Sequence, residues 1–372
     1  MTHSSPFFVL RTPLLPAEGL IDWSRDLTAR AVYERSEPLE PALAVDRTHL
    51  RHRLNALLAR PEVREAIFVA SPSLADALGD WMKDPDSERG RRVERALVRY
   101  VGRMAARPTP FGLFAGISLG AIAGDTAFDL GDRLAIRRHT RLDDDYVFRL
   151  VQALSDDPAV RDALRYRPND SLWFSAGRGR YVEARVDGPL RSHHLVAVDE
   201  TAELRATLAL AAGGATRREL ADALVGDGTE LAEALAYVDE LIASQVVVPE
   251  LQVPVTGDEP LPAMVRHLAA LPATRATAET LERVHVALGA LDAAGVISDT
   301  ERYRDVARSL EALPAKPEID RLFQVDLVRP GAISLGSAIV NEIEHGVALL
   351  YRIGRRSYSD PLGRFRDALV TR

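Results

Sequence analysis

Apolar positions along the chain recur at two periods, and the switches between them outline its elements. Leu50, Leu54, Leu57 and Leu58 share one helical face, predicting a helix over 49–58. Val93, Leu97, Tyr100, Val101 and Met104 do the same, and Pro108 places that helix's end near Ala106. Tyr146, Val147, Leu150 and Leu154 mark a helix over 143–154. Alternation predicts strands over 117–122 and 134–140, and residues 7–15 read as extended. The apolar run 65–70 reads as a strand entering the Ser71-Pro72-Ser73 turn. A short helix follows over 74–82, with Ser73 as its cap. Prolines and acidic residues predict a loop-rich region between Pro13 and residue 41.

Farther along, 172–174, 181–186 and 194–198 are strand candidates. Helices follow over 202–212, 217–225 (capped by Thr216) and 230–244, and 245–249 closes as a strand. This order resembles a winged helix-turn-helix. From Val255 helical patterns dominate, over 261–271, 280–294, 298–313 and 335–351, interrupted by a strand at 323–327. The expected class is α+β. The organisation is a mixed amino-terminal part over 1–164, the winged-helix-like unit over 165–252 and a mainly helical part over 253–372.

Composition narrows this little. Of 372 residues 47% are hydrophobic and 27% charged, as in a soluble globular protein with sizeable cores. With no cysteine there is no disulfide, thiolate metal site or cysteine nucleophile, which fits a cytoplasmic location. No signal peptide or membrane span is expected. The net charge is −7, so nucleic-acid binding must rest on local patches. Of the 47 basic residues only Lys83 and Lys316 are lysine, a bias that a GC-rich genome explains. The histidines make no metal pattern, and no phosphate-loop glycine motif occurs. No metal or organic cofactor is expected.

Arginine spacing says more than arginine abundance. Arg91, Arg95, Arg99, Arg103 and Arg107 recur every four residues, and like charges so placed repel. Glu88 and Glu94 can relieve part of that, and an anionic partner can relieve the rest. The helix runs into Pro108-Thr109-Pro110-Phe111-Gly112-Leu113-Phe114-Ala115-Gly116, a stiff aromatic loop bounded by glycines.

This run resembles the Arg-x-x-x-Arg-x-Thr-Pro-Phe-Gly-Leu-Phe-Ala-Gly segment of lantibiotic dehydratases, in their amino-terminal glutamylation domain. Similar matches follow in order at Phe7 to Pro13, Val69 to Leu74, Arg141-Leu142-Asp143, Arg167-Pro168-Asn169, Thr256-Gly257-Asp258 and Phe323-Gln324-Val325-Asp326. The resemblance implies transfer of glutamate from glutamyl-tRNA, as co-substrate, to Ser or Thr of a ribosomally made precursor peptide. A separate module then eliminates the glutamate. By this resemblance Arg103, Arg107, Asp143 and Asp326 belong to the catalytic site, and Arg11, Thr109 and Arg99 to substrate binding.

Each of these residues also has a plainer reading. Arg103 and Arg107 can be paired surface residues, Asp143 a helix cap, and Asp326 a salt-bridge partner of Arg329. Thr109 can be a turn cap. Arg11 lies on an apolar strand, where burial would demand an anionic partner. Phe111 and Phe114 read as core anchors.

The 165–252 unit is similar to the leader-peptide recognition element of these enzymes, which captures a strand on its sheet edge. Its third helix is acidic and carries no Arg or Lys, which argues against a DNA-reading role. The resemblance also implies that the chain corresponds to the first half of the glutamylation domain. That predicts a complementing carboxy-terminal half or elimination subunit as partner, and little activity alone. The alternative function is a leader-binding scaffold without chemistry of its own; a DNA-binding regulator comes third.

Overall fold

The computed structural model describes residues 5–370 apart from 133–134, 188–189, 227, 252–256, 296–298 and 355–360. Leu134, Ser298 and Thr256, used in the sequence reading, lie outside the described residues. The strands are β1 (Phe7–Pro13), β2 (Ala115–Ala123), β3 (Ala127–Asp129), β4 (Arg137–Leu142), β5 (Arg165–Pro168), β6 (Trp173–Ser175), β7 (Arg178–Asp187), β8 (Leu190–Asp199), β9 (Ala215–Thr216), β10 (Val247–Pro249), β11 (Phe323–Val328) and β12 (Ala332–Gly336). With the intervening helices they make a mixed α+β fold.

The chain divides into two compact units. One comprises 1–54, 98–138 and 326–372; the other comprises 55–97 and 139–325. In the first, β2 is the hub of a mixed sheet: it pairs with β1, with β11 at Val328 and with β12, which in turn pairs with β3. β1 runs antiparallel along one edge of β2, from Phe7 opposite Ala121 to Pro13 opposite Ala115. β11 and β12 both run parallel to β2, at Ile117 and at Ala121 to Ala123. Since β1 fills one edge, β11 and β12 must share the other, end to end. Gly120 is required here, because a Cβ would sit 2.2 Å from the Phe8 ring.

The segment before β2 is more helical than its prolines suggest. Helices span Ala17–Trp23, Ala29–Glu34 and Leu39–Leu58, so the third starts ten residues before the expected His49. Pro41 lies in its first turn, where a missing N–H costs nothing. Long-range bonds secure these helices. Trp23 Nε1 donates to the Leu50 carbonyl at 3.1 Å, and buried Asp46 accepts from the Thr28 and Ala29 N–H groups. Those bonds hold the Asp46 carboxyl below the usual aspartate range.

The second unit holds one large core that includes Phe68, Leu142, Tyr146, Leu150, Tyr166, Leu208, Val238, Leu281, Leu288 and Tyr303. Here the expected strand at 65–70 is instead the end of a helix, Pro61–Ala70. A short apolar run cannot distinguish a buried strand from a helix buried nearly all round. Val63, Glu65, Ala66, Ile67 and Phe68 are all buried, and Tyr303 donates to Glu65 at 2.9 Å. The expected 74–82 helix is two pieces, Pro72–Asp76 and Leu78–Lys83. Its cap is Ser71, whose hydroxyl accepts from Leu74 N–H, rather than Ser73.

The region 165–249 follows the expected order closely. β6, β7 and β8 form a three-stranded antiparallel sheet, and β10–β5–β9 form a second. Helices Ala202–Ala211, Arg217–Asp222 and Leu231–Ala243 lie between. Thr216 caps the middle helix through a reciprocal bond with Glu219. Asn169 joins the parts. Its amide donates to the carbonyls of Val182 and Gln245, and its carbonyl accepts from Ser171. No helix among the described residues is long and apolar enough to cross a membrane.

Candidate functional site

The arginine helix spans Glu88–Ala106. Glu88 pairs with Arg92, off the stripe, and Glu94 accepts from Trp81 Nε1, so the two acids expected to relieve the stripe have other partners. Arg91, Arg95, Arg99 and Arg107 are exposed and Arg103 is half-buried. Among the described residues none of these five has a carboxylate partner.

The last backbone bond of the helix runs from Arg107 N–H to the Arg103 carbonyl, and Pro108 ends it. Phe111 to Phe114 then turns back on itself. Gly112 takes φ 51°, and Phe114 N–H donates to the Phe111 carbonyl at 3.0 Å. Phe114 is fully buried and meets Tyr100 and Phe111 edge to face at 5.3 and 5.5 Å. It is the core anchor expected. Phe111 is not, for it is 39% exposed and its ring lies 4.2 Å beneath the Arg103 guanidinium. The Arg103 Nε is buried and makes no hydrogen bond among the described residues. The guanidinium is thus held against an aromatic face with one of its buried donors unused among the described residues.

The strands feed the same region. Leu14 and Leu15, just past β1, donate their N–H groups to the carbonyls of Phe114 and Met104. Arg11 lies on β1 opposite Ile117 of β2, and Val328 of β11 meets the same Ile117 from the other edge. Asp326, two residues before Val328, therefore projects to the face that Arg11 shares. Arg11 is exposed, so burial does not require a partner for it. Thr109 is exposed and forms no hydrogen bond among the described residues, so it is not a turn cap.

Asp143 belongs to the other unit. Its carboxylate accepts from Asp145 N–H at 2.9 Å, capping the helix Asp144–Asp156, and its own N–H donates to the Leu322 carbonyl. Burial pushes its carboxyl above the usual range, partly opposed by the Asp145 bond. Arg329, which no sequence motif marks as a site residue, also has a buried Nε without a hydrogen bond among the described residues. Arg329-Pro330-Gly331, a breaker pair after an apolar run, was the available signal of an irregular strand.

The chain thus carries an arginine-striped helix that runs into an aromatic turn and a mixed sheet, and a winged-helix-like order of elements over 165–249. The family model described as "Lantibiotic dehydratase, N terminus" matches residues 59–372, and the chain belongs to that family. It is 24% identical over 198 residues to the subtilin biosynthesis protein SpaB of Bacillus subtilis, covering 52% of this chain and 18% of SpaB. It is 28% identical over 96 residues to the epidermin biosynthesis protein EpiB of Staphylococcus epidermidis, covering 25% and 10%.

Among solved structures, the tRNA dependent lantibiotic dehydratase MibB from Microbispora sp. 107891 shares the fold with TM-score 0.70 and 22% identity, covering 99% of this chain and 33% of MibB. The glutamylation domain TbtB from thiomuracin biosynthesis, bound to 5'-phosphodesmethylglutamycin, matches with TM-score 0.55 and 18% identity, covering 86% and 39%. The chain thus spans about a third of MibB and under a fifth of SpaB.

Proposed function

We propose that this chain contributes the aminoacyl-tRNA-binding part of a dehydratase that glutamylates Ser or Thr of a ribosomally made precursor peptide. The observation that carries this reading is the Arg103 guanidinium, stacked on Phe111 with a buried, unused donor and flanked by Arg99 on its helix and Arg107 just past its end, neither with a carboxylate partner among the described residues. The peptide hydroxyl attacks the glutamyl ester carbonyl, an oxyanion forms, and the tRNA ribose hydroxyl leaves. Fixed cations serve this reaction twice, gripping the phosphates of the acceptor end and stabilising the oxyanion. Arg103 and Arg107 take that role, with Arg11, Arg99 and Thr109 holding substrate. Asp326 orients these groups, and Asp143 is carried as a further site residue by the family resemblance alone. Membership of the dehydratase family supports the reading, as do the printed descriptions of MibB and TbtB.

The test is glutamyl transfer from charged tRNA to a Ser/Thr-bearing precursor, read by peptide mass. It uses this chain within a full-length dehydratase, since the chain spans about a third of MibB. Replacing Arg103 and Arg107 by Ala abolishes transfer and leaves leader affinity intact; unchanged transfer sinks the assignment.

The second reading, a leader-binding scaffold, has its own observation. β8 pairs with β7 along 190–199, and no partner lies on its other edge among the described residues. Leu195 stands 66% exposed on that strand. An open edge beside an exposed apolar side chain suits capture of an extended peptide. The two readings coexist in one chain, and a scaffold alone would bind leader but not tRNA.

A further inference from the structure

We propose that Arg329 is an additional anion ligand of the arginine site, gripping an oxyanion of the aminoacyl-tRNA. The inference rests on the reading above and adds a residue that the arginine motif does not contain. It starts from strand register. Val328 is opposite Ile117 and Ser334 is opposite Ala121 on the same edge of β2. Six residues on one strand therefore span four on the other, and the two extra residues fall between β11 and β12. Bulges of this kind re-aim a side chain out of the regular alternation, and they concentrate beside functional sites. Arg329 opens the bulge, and Pro330 and Gly331 follow it.

Its backbone is pinned on both sides. Arg329 N–H donates to the Ile117 carbonyl at 2.8 Å, and its own carbonyl accepts from the buried Ser118 hydroxyl at 2.7 Å. The side chain thus leaves from a fixed point, which cuts the ordering cost of binding. The Nε is buried without a hydrogen bond among the described residues, a condition it shares with Arg103 and Arg161. A buried N–H left unused costs stability unless a ligand takes it.

The location fits as well. Ile117 carries Arg11 opposite it on β1 and Arg329 bonded to it from the other edge. The two arginines therefore flank the start of β2, on strands about 10 Å apart. The Phe111–Gly116 loop delivers the chain to that point. A phosphate and a carboxylate present the same pair of oxygens to a guanidinium. Either a tRNA phosphate or the glutamyl carboxylate could therefore be the group held.

The experiment measures binding of the purified 372-residue chain to glutamyl-tRNA and to uncharged tRNA by fluorescence anisotropy over a range of salt. Arg329→Ala should weaken binding about tenfold, as expected for one charge-assisted contact. Arg329→Lys should recover only part, because an ammonium lacks the planar fork. If a phosphate is held, both tRNAs lose affinity equally and the salt slope drops by about one. If the glutamyl carboxylate is held, only the charged tRNA loses. Arg47→Ala, on an exposed helical face, controls for general loss of charge. Arg329→Ala and Arg329→Lys both binding within twofold of the unsubstituted chain would overturn the inference, as would an equal loss in Arg47→Ala. If Arg329→Ala does not fold, Arg329→Lys alone decides by the same limits. No tRNA binding by the unsubstituted chain would instead overturn the aminoacyl-tRNA reading, and with it this one. Binding lost in Arg103→Ala but retained in the Arg329 variants would overturn this one alone.

Discussion

The Arg103 guanidinium lies 4.2 Å from the centre of the Phe111 ring and 5.8 Å from that of Phe114. One ring is partly exposed and the other is sealed in the core, so the cation is braced from inside and open toward solvent. Phe111→Leu keeps apolar bulk but removes the ring face, worth about 0.5–2 kcal/mol to a cation. We expect thermal stability to change little and glutamyl transfer to fall several-fold, mostly through weaker tRNA binding. Transfer rates with tRNA concentration varied would show it as a raised KM.

Asp143 separates a capping role from a site role. Asp143→Asn preserves an oxygen acceptor for the Asp145 N–H and should fold as well as the native chain. Asp143→Ala should lose about 1 kcal/mol of stability. The raised pKa means that the folded state holds this proton more tightly than the unfolded chain. Its contribution to stability therefore declines as pH rises from the ordinary aspartate value through the raised folded value. Asn removes that slope. If Asp143 orients an arginine, Asp143→Asn also lowers transfer at least tenfold while the melting temperature holds. Equal transfer in Asn and native proteins would leave Asp143 as a cap alone.

Acid should loosen the winged-helix-like region. Arg217 donates to both oxygens of Asp239, at 2.5 and 2.6 Å, and holds that carboxyl below its usual range. The unfolded chain therefore binds this proton first. The pair's stabilisation is complete above the ordinary aspartate value, near pH 4, and is lost as pH falls through the depressed folded value. Urea melts between pH 2 and 7 should show a steep acid limb that Asp239→Asn flattens. An unaltered acid limb in that variant would assign the effect to other carboxylates.

Leader capture by strand addition should depend little on salt, since main-chain bonds and apolar contacts dominate it. Leu195→Asp should weaken leader binding several-fold without unfolding the sheet, because Leu195 is already exposed. Duplex DNA should not bind: the helix Leu231–Ala243 carries Glu233, Asp239 and Glu240 and no basic residue. Tight DNA binding with a steep salt slope would favour a regulator instead.

Local physics wrote much of this molecule into its sequence. Helical periodicity and Pro108 set the arginine helix to its last residue, and the Thr216 and Asp143 caps were legible because capping is settled within three residues. The dehydratase signature was legible for the same reason, as one contiguous run. What the tertiary structure decided was everything that depends on a distant partner. The 65–70 run became helix because its faces are buried nearly all round, a fact no local period encodes. The 17–34 segment is helical because Asp46 and Leu50, far along the chain, supply the bonds. Arg11 and Arg329 flank Ile117 only because β1 and β11, more than 300 residues apart, pair with opposite edges of β2. Strand register across such a separation is chosen by the packing of whole sheet faces, and a single chain pattern leaves it open.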